Sequence, residues 1–556
     1  MTERPPDPSA PAPDPRRHRR RTGLRRLTAR PTRVTAGPQP PGPAAVGVSP
    51  EGAAGSAEDD REMLGLARGG GLNVFGAAIG QVALLGVILV LARRLGREDV
   101  GLYAQAFAFL VLLGLLSLSG FRAGLTRFVA GHLDDADGGA LRGTVRLGVV
   151  ISTVGALAVG AVLYALAPWL VHAAFHDDRL VMPLRYVAFA LPAAAFSDAA
   201  LSATQGFRTM RPFAFIGLIF EPLIRLGLTI GFVAAGFGLK GAMTALIFSN
   251  LAGAVASGAA LHRLLGRRAS RPRYLVRELL GFSMVSWLAS LASTGLVWAD
   301  IIMLGIYLPS GDVGIYSVST RIVMLATFVA APISASFAPR IADLWRRGRS
   351  ESLARTYRVA TSWILRLALP ALVVLLAFPD ELLRLFGPGF VAGASVTVVL
   401  AAGKLVESAT GPCGVVLNQS GRPRLSMIDN VGALVLNIGL NLWLIPTHGI
   451  LGAAIAWAVS LTLVNVVRLL QVWSTTGMLP FDGGVLKGVL AAVGALGVGL
   501  LVPTFAPHSW QLLTGTIAIA ASYLLLLSGM GLTSEDRLVL RMVLDRIGLG
   551  RMPRRA

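Results

Sequence analysis

From about Gly70 onward the chain alternates between long apolar runs and short polar breaks. A helix needs about 20 predominantly apolar residues to cross a bilayer, and run after run meets that length. The first six predicted spans are Gly70–Ala92, Val100–Phe121, Leu147–Leu170, Met182–Thr204, Phe213–Ala235 and Leu239–Leu261. Six more follow: Leu279–Leu308, Asp312–Ala338, Val359–Phe378, Val391–Leu417, Met427–Ile445 and Ile450–Trp473. Val485–Phe505 and Trp510–Met530 complete a set of about fourteen. The pattern predicts an all-α polytopic membrane protein.

The polar breaks are of two kinds. Alternate ones are crowded with cations: Arg122, Arg127 and Arg142, then Arg208 and Arg211, then Arg263, Arg267, Arg268, Arg271, Arg273 and Arg277. The series continues with Arg340, Arg346, Arg347, Arg349, Arg355 and Arg358, with Arg422 and Arg424, and with Lys487. The intervening breaks "YLPSG", "PTHG" and "PTFAPHS" hold no Lys or Arg, and "RRLGRED" is the exception. Cytoplasmic loops collect Lys and Arg, so both termini are expected inside. Composition agrees: 54% of residues are hydrophobic, 15% are charged and the mean hydropathy is +0.65. The net charge of +21 therefore reads as topology rather than as a nucleic-acid surface. A single cysteine, Cys413, excludes an intramolecular disulfide and a cysteine metal cluster.

One pentapeptide recurs. "DVGLY" begins at Asp99 and "DVGIY" at Asp312, 213 residues on. Arg127 and Arg340 stand 213 apart, Gln205/Arg208 and Gln419/Arg422 stand 214 apart, and Gly238, Gly241 and Ala242 return 211 on as Gly449, Gly452 and Ala453. Four landmarks in one order argue for an internal duplication. An even number of helices separates the copies, so the repeats are parallel, related by an axis along the membrane normal. The expected organisation is a first six-helix bundle over 70–262, a basic linker over 263–278, a second bundle over 279–474 and two extra helices over 485–531. In each pentapeptide the Asp is expected to cap a helix, the Gly to allow a bend and the Tyr to sit at the interface.

Residues 1–62 are rich in Pro and Arg without apolar periodicity, which predicts a disordered cytoplasmic tail. No apolar run follows its arginines closely enough for a secretory signal. A polybasic contact with anionic lipid is the alternative, and the prolines work against a surface helix. Residues 533–556 predict a cytoplasmic amphipathic helix, opened by Thr533 and Asp536, with Leu540, Val543, Leu544 and Ile547 on one face.

The segments "ARRLGREDVGLYAQAFAFL", "LTRFVA" and "WADIIMLGIYLPSGDVGIYSVSTRI" resemble the polysaccharide-transport branch of the multidrug/oligosaccharidyl-lipid/polysaccharide exporter superfamily, over roughly Gly70 to Met530. The resemblance implies two bundles in a V around a central cavity, and an O-antigen-type flippase of the cytoplasmic membrane. It implies as partners a polyprenyl-pyrophosphate-linked sugar and membrane lipid, with glycosyltransferases or a polymerase of the same pathway as further candidates. Murein-precursor flippases of that superfamily also have about fourteen helices, but their N-terminal pattern is absent. Two rival readings are a cation-coupled multidrug exporter and a scaffold for polysaccharide assembly.

Ionisable residues deep in a span need a partner or a cavity. Asp300 lies eight residues before Leu308, and Arg321 nine after Asp312, which puts them at one depth on neighbouring helices. A structural ion pair and a substrate site are both open. Positions 87 and 108 of the first copy are Val and Ala, so the pair would break the repeat. Glu221 and Arg225 share a face four residues apart, with Asp198 at a similar depth. Lys404 and Glu407 share another face, Arg366 has no evident partner, and Asn437 and Asn441 form a polar stripe of the kind that packs helices together. The cations suit a pyrophosphate or acidic sugar, because a guanidinium grips oxyanions bidentately. His172 and His176, four apart beside Asp177 and Asp178, read as a solvated connection rather than a zinc site. No phosphate-binding loop and no catalytic spacing is found. The chain is read as a transporter without a cofactor, not as an enzyme, and no nucleic acid is expected.

Overall fold

The computed structural model describes residues 75–531 apart from 119–120, 136, 176, 267–270, 275, 506 and 508–509. The tail over 1–62, the amphipathic segment over 533–556 and part of the linker over 263–278 lie outside the described residues. Within them every element is helical. The first half contains α1 (Phe75–Arg94), α2 (Arg97–Leu118), α3 (Phe121–Asp134), α4 (Gly138–Ala174), α5 (Val181–Gly206), α6 (Phe213–Ala234) and α7 (Gly238–Leu265). The second contains α8 (Val276–Tyr307), α9 (Ser310–Ala326), α10 (Ala330–Arg346), α11 (Ser350–Ala377), the short α12 (Pro379–Arg384), α13 (Ala394–Thr410), α14 (Cys413–Gln419) and α15 (Pro423–Thr476). α16 (Gly483–Phe505) and α17 (Gln511–Gly529) close the series.

Twelve helices among the described residues are long and apolar enough to cross a membrane, and the pair α9–α10, bent by 45°, makes a thirteenth. The 54 residues of α15 would be about 81 Å long as one rod, far beyond the hydrocarbon thickness of about 30 Å. The chain breaks at Gly449, where φ is +58° and ψ −137°, a region that glycine reaches without steric penalty. That break yields the fourteenth crossing, at the "PTHG" turn. The protein is a multi-pass membrane protein.

The packing is repeated along with the sequence. α1 lies on α6 with Gly86 against the Leu226 side chain, and α8 lies on α15 with Gly295 against Leu434. α5 packs between α4 and α7, while α13 packs between α11 and the second limb of α15. The main buried core draws Leu91, Leu102 and Leu184 together with Val313, Leu372 and Ala453. A second core holds α16 and α17 on α11 through Leu365, Leu369, Phe378, Ala491, Ile519 and Tyr523.

The pentapeptides do other work than their residue types suggest. α2 starts at Arg97 and α9 at Ser310, so Asp99 and Asp312 lie inside the first turn. There they face the positive end of the helix dipole rather than forming a cap. Tyr103 and Tyr316 are buried, not interfacial. Gly101 and Gly314 are helical and mark a close approach instead of a bend. A Cβ on Gly101 would strike the Ser310 carbonyl and the Gly314 amide, and one on Gly314 would strike the Arg97 carbonyl and the Gly101 amide. Arg97 and Ser310 are themselves equivalent in the repeat. The two copies thus meet through a self-complementary contact, as the subunits of a two-fold dimer do.

Candidate functional site

Below the glycine contact, side chains from both halves converge on Phe107 of α2. On one approach α6 begins with a π-helical stretch, Phe213–Phe220, that runs directly into Glu221. Such single-turn distortions recur at functional positions because they re-aim the residues that follow. Arg225 is 5% exposed. It donates through Nη2 to Glu221 Oε1 at 2.5 Å and through Nε to Ser249 Oγ of α7 at 3.1 Å. Its Cζ stands 5.4 Å from the Phe107 centroid. From α9, Arg321 places its Cζ 5.7 Å from the same ring and 4.8 Å from the Trp298 ring of α8. Trp298 and Phe107 are 5.4 Å apart, and Tyr103 stacks on Phe107 at 6.2 Å.

The charges do not balance. The cluster holds two guanidiniums and one carboxylate, Glu221, which pairs with Arg225. Arg321 makes no ion pair among the described residues; aromatic faces are its nearest partners. Arg321 is half-buried, and cation–π contact, about 0.5–2 kcal/mol, leaves its charge unneutralised. Arg321 lies nine residues from Asp312, about 14 Å along the helix, close to the middle of a core about 30 Å thick. A cationic, aromatic-walled position at that depth is suited to an anion.

The expected pairing of Asp300 with Arg321 does not form. Asp300, 1% exposed, accepts from Tyr316 Oη at 2.8 Å and from Asn441 Nδ2 at 2.6 Å. Asn441 Nδ2 also reaches Asn437 Oδ1 at 3.2 Å. Helical phase separates the groups. Tyr316 and Arg321 differ by five residues, about 140° around α9. Trp298 and Asp300 differ by two, about 200° around α8. Trp298 therefore meets Arg321 while Asp300 turns to α15, where Asn441 binds it. Asn437 Nδ2 and Asn441 Oδ1 are buried without a partner.

The remaining candidates lie elsewhere. Arg366 is a buried fastener: Nε donates to the Gly484 carbonyl of α16 at 3.1 Å, and its own carbonyl accepts from Tyr523 Oη of α17 at 3.0 Å. A side chain at position 484 would collide with its guanidinium. Lys404 pairs with Glu407 at 2.5 Å and lies over the Trp457 ring at 5.6 Å. Among the described residues this pair makes no polar or ring contact with the Phe107 cluster. Asp198 pairs with Arg122 at 2.9 Å, both well exposed. His172 pairs with Asp178 at 2.9 Å in the open, and His176 lies outside the described residues. No group of three His, Cys, Asp or Glu among the described residues could hold a metal.

The end that carries the pentapeptides is further tied by polar contacts around a cavity of about 250 Å³. Ser310 of the second half donates to Asp177 Oδ2 of the first at 2.6 Å. Arg179 bridges Asp177 at 2.8 Å and Glu98 at 3.0 Å. Burial opposes ionisation of Asp177, but hydrogen bonds from Arg179 and Ser310 outweigh it and hold the carboxyl below its ordinary range. Towards the arginine-rich end, Trp287 of α8 donates to the Leu115 carbonyl of α2 at 3.0 Å.

Sequence reasoning found Arg225, Glu221 and Arg321 but not the aromatic residues that gather them. A signal was present for two of them: Tyr103 belongs to the repeated motif, and Phe107 stands four residues on, on the same helical face. Trp298 and Ser249 carry no comparable mark in the sequence.

Comparison with known proteins places this arrangement. The family model described as "Polysaccharide biosynthesis protein" matches residues 66–345, and the MatE model matches 286–443. The "probable low-salt glycan biosynthesis flippase Agl15" of Haloferax volcanii is 27% identical over 240 residues, 43% of this chain and 50% of that protein. The "probable flippase AglR" of the same organism is 32% identical over 192 residues, 34% of this chain and 40% of that protein. The chain thus spans half or less of the length of these curated relatives. Stage V sporulation protein B of Bacillus subtilis is 23% identical over 493 residues, covering 81% of this chain and 92% of that protein. Among solved structures, the lipid II flippase MurJ in an inward closed conformation is similar with a TM-score of 0.68 at 12% identity, over 83% of this chain and 98% of that one. An inward-facing multidrug resistance MATE family transporter gives 0.61 at 16%, over 72% and 95%. These two likenesses show the fold alone. Through the family model, which covers half of its length, the chain belongs to the polysaccharide biosynthesis protein family.

Proposed function

We propose that this protein is a flippase that carries the anionic head of a polyprenyl-linked oligosaccharide or polysaccharide precursor across the cytoplasmic membrane. The observation that carries the reading is Arg321, a cation near mid-membrane with no acidic partner among the described residues, set beside Arg225 on one aromatic ring. Arg321 comes from the second half and Arg225 from the first, so a phosphate held between them would touch both moving parts. Fixed cations replace part of the hydration that the head loses on entry, and the lipid tail stays in the bilayer between the halves. The site alternates its access as the halves, over about 70–262 and 279–474, move against each other. Both termini are assigned to the cytoplasm by the arginine asymmetry. The family and the flippase names of the Haloferax volcanii relatives support the same reading.

A multidrug exporter of the same fold is the competing reading, since the MatE model also matches. The charge of the cluster favours the flippase, because a net positive wall repels cationic drugs. The test is Arg321→Gln, followed by lipid-linked sugar reaching the outer leaflet and by membrane abundance. Loss of outer-leaflet sugar at normal abundance is expected. Normal sugar delivery, or efflux of small organic cations by the native chain, would overturn the proposal.

A further inference from the structure

The repeat places tyrosines at equivalent positions, yet the two hydroxyls have different fates. Tyr316 donates to Asp300 and is satisfied within its own half. Tyr103 has no such acceptor, because the position equivalent to Asp300 is Val87 on α1. Tyr103 is 3% exposed, its ring stacks on Phe107, and its Oη is buried without a hydrogen-bond partner. Arg225 and Arg321 both approach the Phe107 ring on which Tyr103 stacks.

An orphaned buried hydroxyl destabilises the fold that holds it. Phenylalanine would keep the ring and its stacking without that cost. The hydroxyl is therefore explained by a partner that arrives from outside the fold. Beside it stand two guanidiniums, which donate and never accept. The set formed by Tyr103, Arg225 and Arg321 is rich in donors, with Glu221 as its one acid and that acid already paired. An ionised phosphate ester offers only acceptors and complements such a set. A sugar hydroxyl, which both gives and takes, does not use it fully.

We infer that the Tyr103 hydroxyl is a third donor to the substrate, binding a phosphate oxygen of the head beside Arg225 and Arg321. The inference rests on the function proposed above and adds to that site a residue, a neutral hydroxyl donor to the phosphate or pyrophosphate of the head. It also explains why one copy of the repeat bonds its tyrosine internally while the other leaves it unbonded.

The experiment uses the full chain in lipid nanodiscs, titrated calorimetrically with geranylgeranyl pyrophosphate and with geranylgeraniol, alongside thermal melting of the ligand-free protein. Tyr103→Phe is expected to weaken the pyrophosphate roughly tenfold or more, the scale of a hydrogen bond to a charged group. It should leave the alcohol unaffected and the ligand-free melting point equal or higher. Tyr316→Phe is expected to behave oppositely, lowering the melting point because Asp300 loses a donor while affinity changes little. Native pyrophosphate affinity in Tyr103→Phe, with weak binding in Arg321→Gln, would overturn the inference and leave the proposed function standing. Native affinity in both variants would overturn both. A melting point lowered as far as in Tyr316→Phe, or equal losses for alcohol and pyrophosphate, would also overturn the inference, since the hydroxyl would then serve the fold and not the anion.

Discussion

Removing the guanidinium of Arg321 takes away a charge that pairs with no acid among the described residues, whereas removing the carboxylate of Asp300 breaks two hydrogen bonds. Arg321→Ala should stop transport without lowering the melting point. Asp300→Ala leaves Tyr316 Oη and Asn441 Nδ2 without their acceptor and should cost about 1–3 kcal/mol of stability. Because the two side chains do not touch, the double variant should show the sum of the singles to within about 0.5 kcal/mol. Recovery of stability in the double would instead mean that they pair. Melting of the two singles and the double, with outer-leaflet sugar measured in parallel, decides the matter. The sequence put the two residues on consecutive helices, α8 and α9. It could not give their azimuth relative to neighbours, which depends on how the helices are rotated against one another. Arg366 was opaque for a related reason: on α16 it bonds a backbone carbonyl, and backbone acceptors leave no trace in residue type.

At the level of elements, the contact between α2 and α9 leaves no room for a side chain at either glycine. Gly101→Val or Gly314→Val should prevent this close approach and leave that end of the molecule ajar, read as increased labelling of a cysteine introduced at Val313. Unchanged labelling would show that the backbones part without consequence. Arg366→Ala should loosen α16 and α17 from α11, because the Gly484 carbonyl loses a donor and a cavity opens beside Gly488. A loss of roughly 2–4 kcal/mol is expected, visible as earlier proteolysis between Gly477 and Gly483. Most long spans were legible from hydropathy alone, as was the polar "PTHG" turn that breaks the longest helical run at Gly449, but α3, α12 and the breaks after Ala326 and Thr410 were not. Less legible was the use of the pentapeptide, because glycine in a sequence suggests a bend as readily as a close approach.

For the whole molecule, the arginine asymmetry predicts that reporters fused after Arg347 read cytoplasmic and those fused at His448 read external. The reverse result would invert the assigned sidedness. The contact between Ser310 and Asp177 joins the two halves and should respond to acid. The Asp177 carboxyl has a lower pKa in the fold than in the unfolded chain. Its stabilising contribution is therefore fully present above the unfolded value of about 3.9 and is lost as pH falls through the lower folded value. Between pH 6 and pH 3 the native protein should lose more stability than Asp177→Asn, and equal losses would remove Asp177 from the contact. The glycine crossing has one more consequence. Each half brings to it both a glycine and the carbonyl that receives the other's glycine. The surface is its own complement, so at this corner a half does not distinguish its partner from a second copy of itself. The closure of the present chain is chemically that of a homodimer, held in one polypeptide, while away from this junction the halves differ, as at Val87 against Asp300.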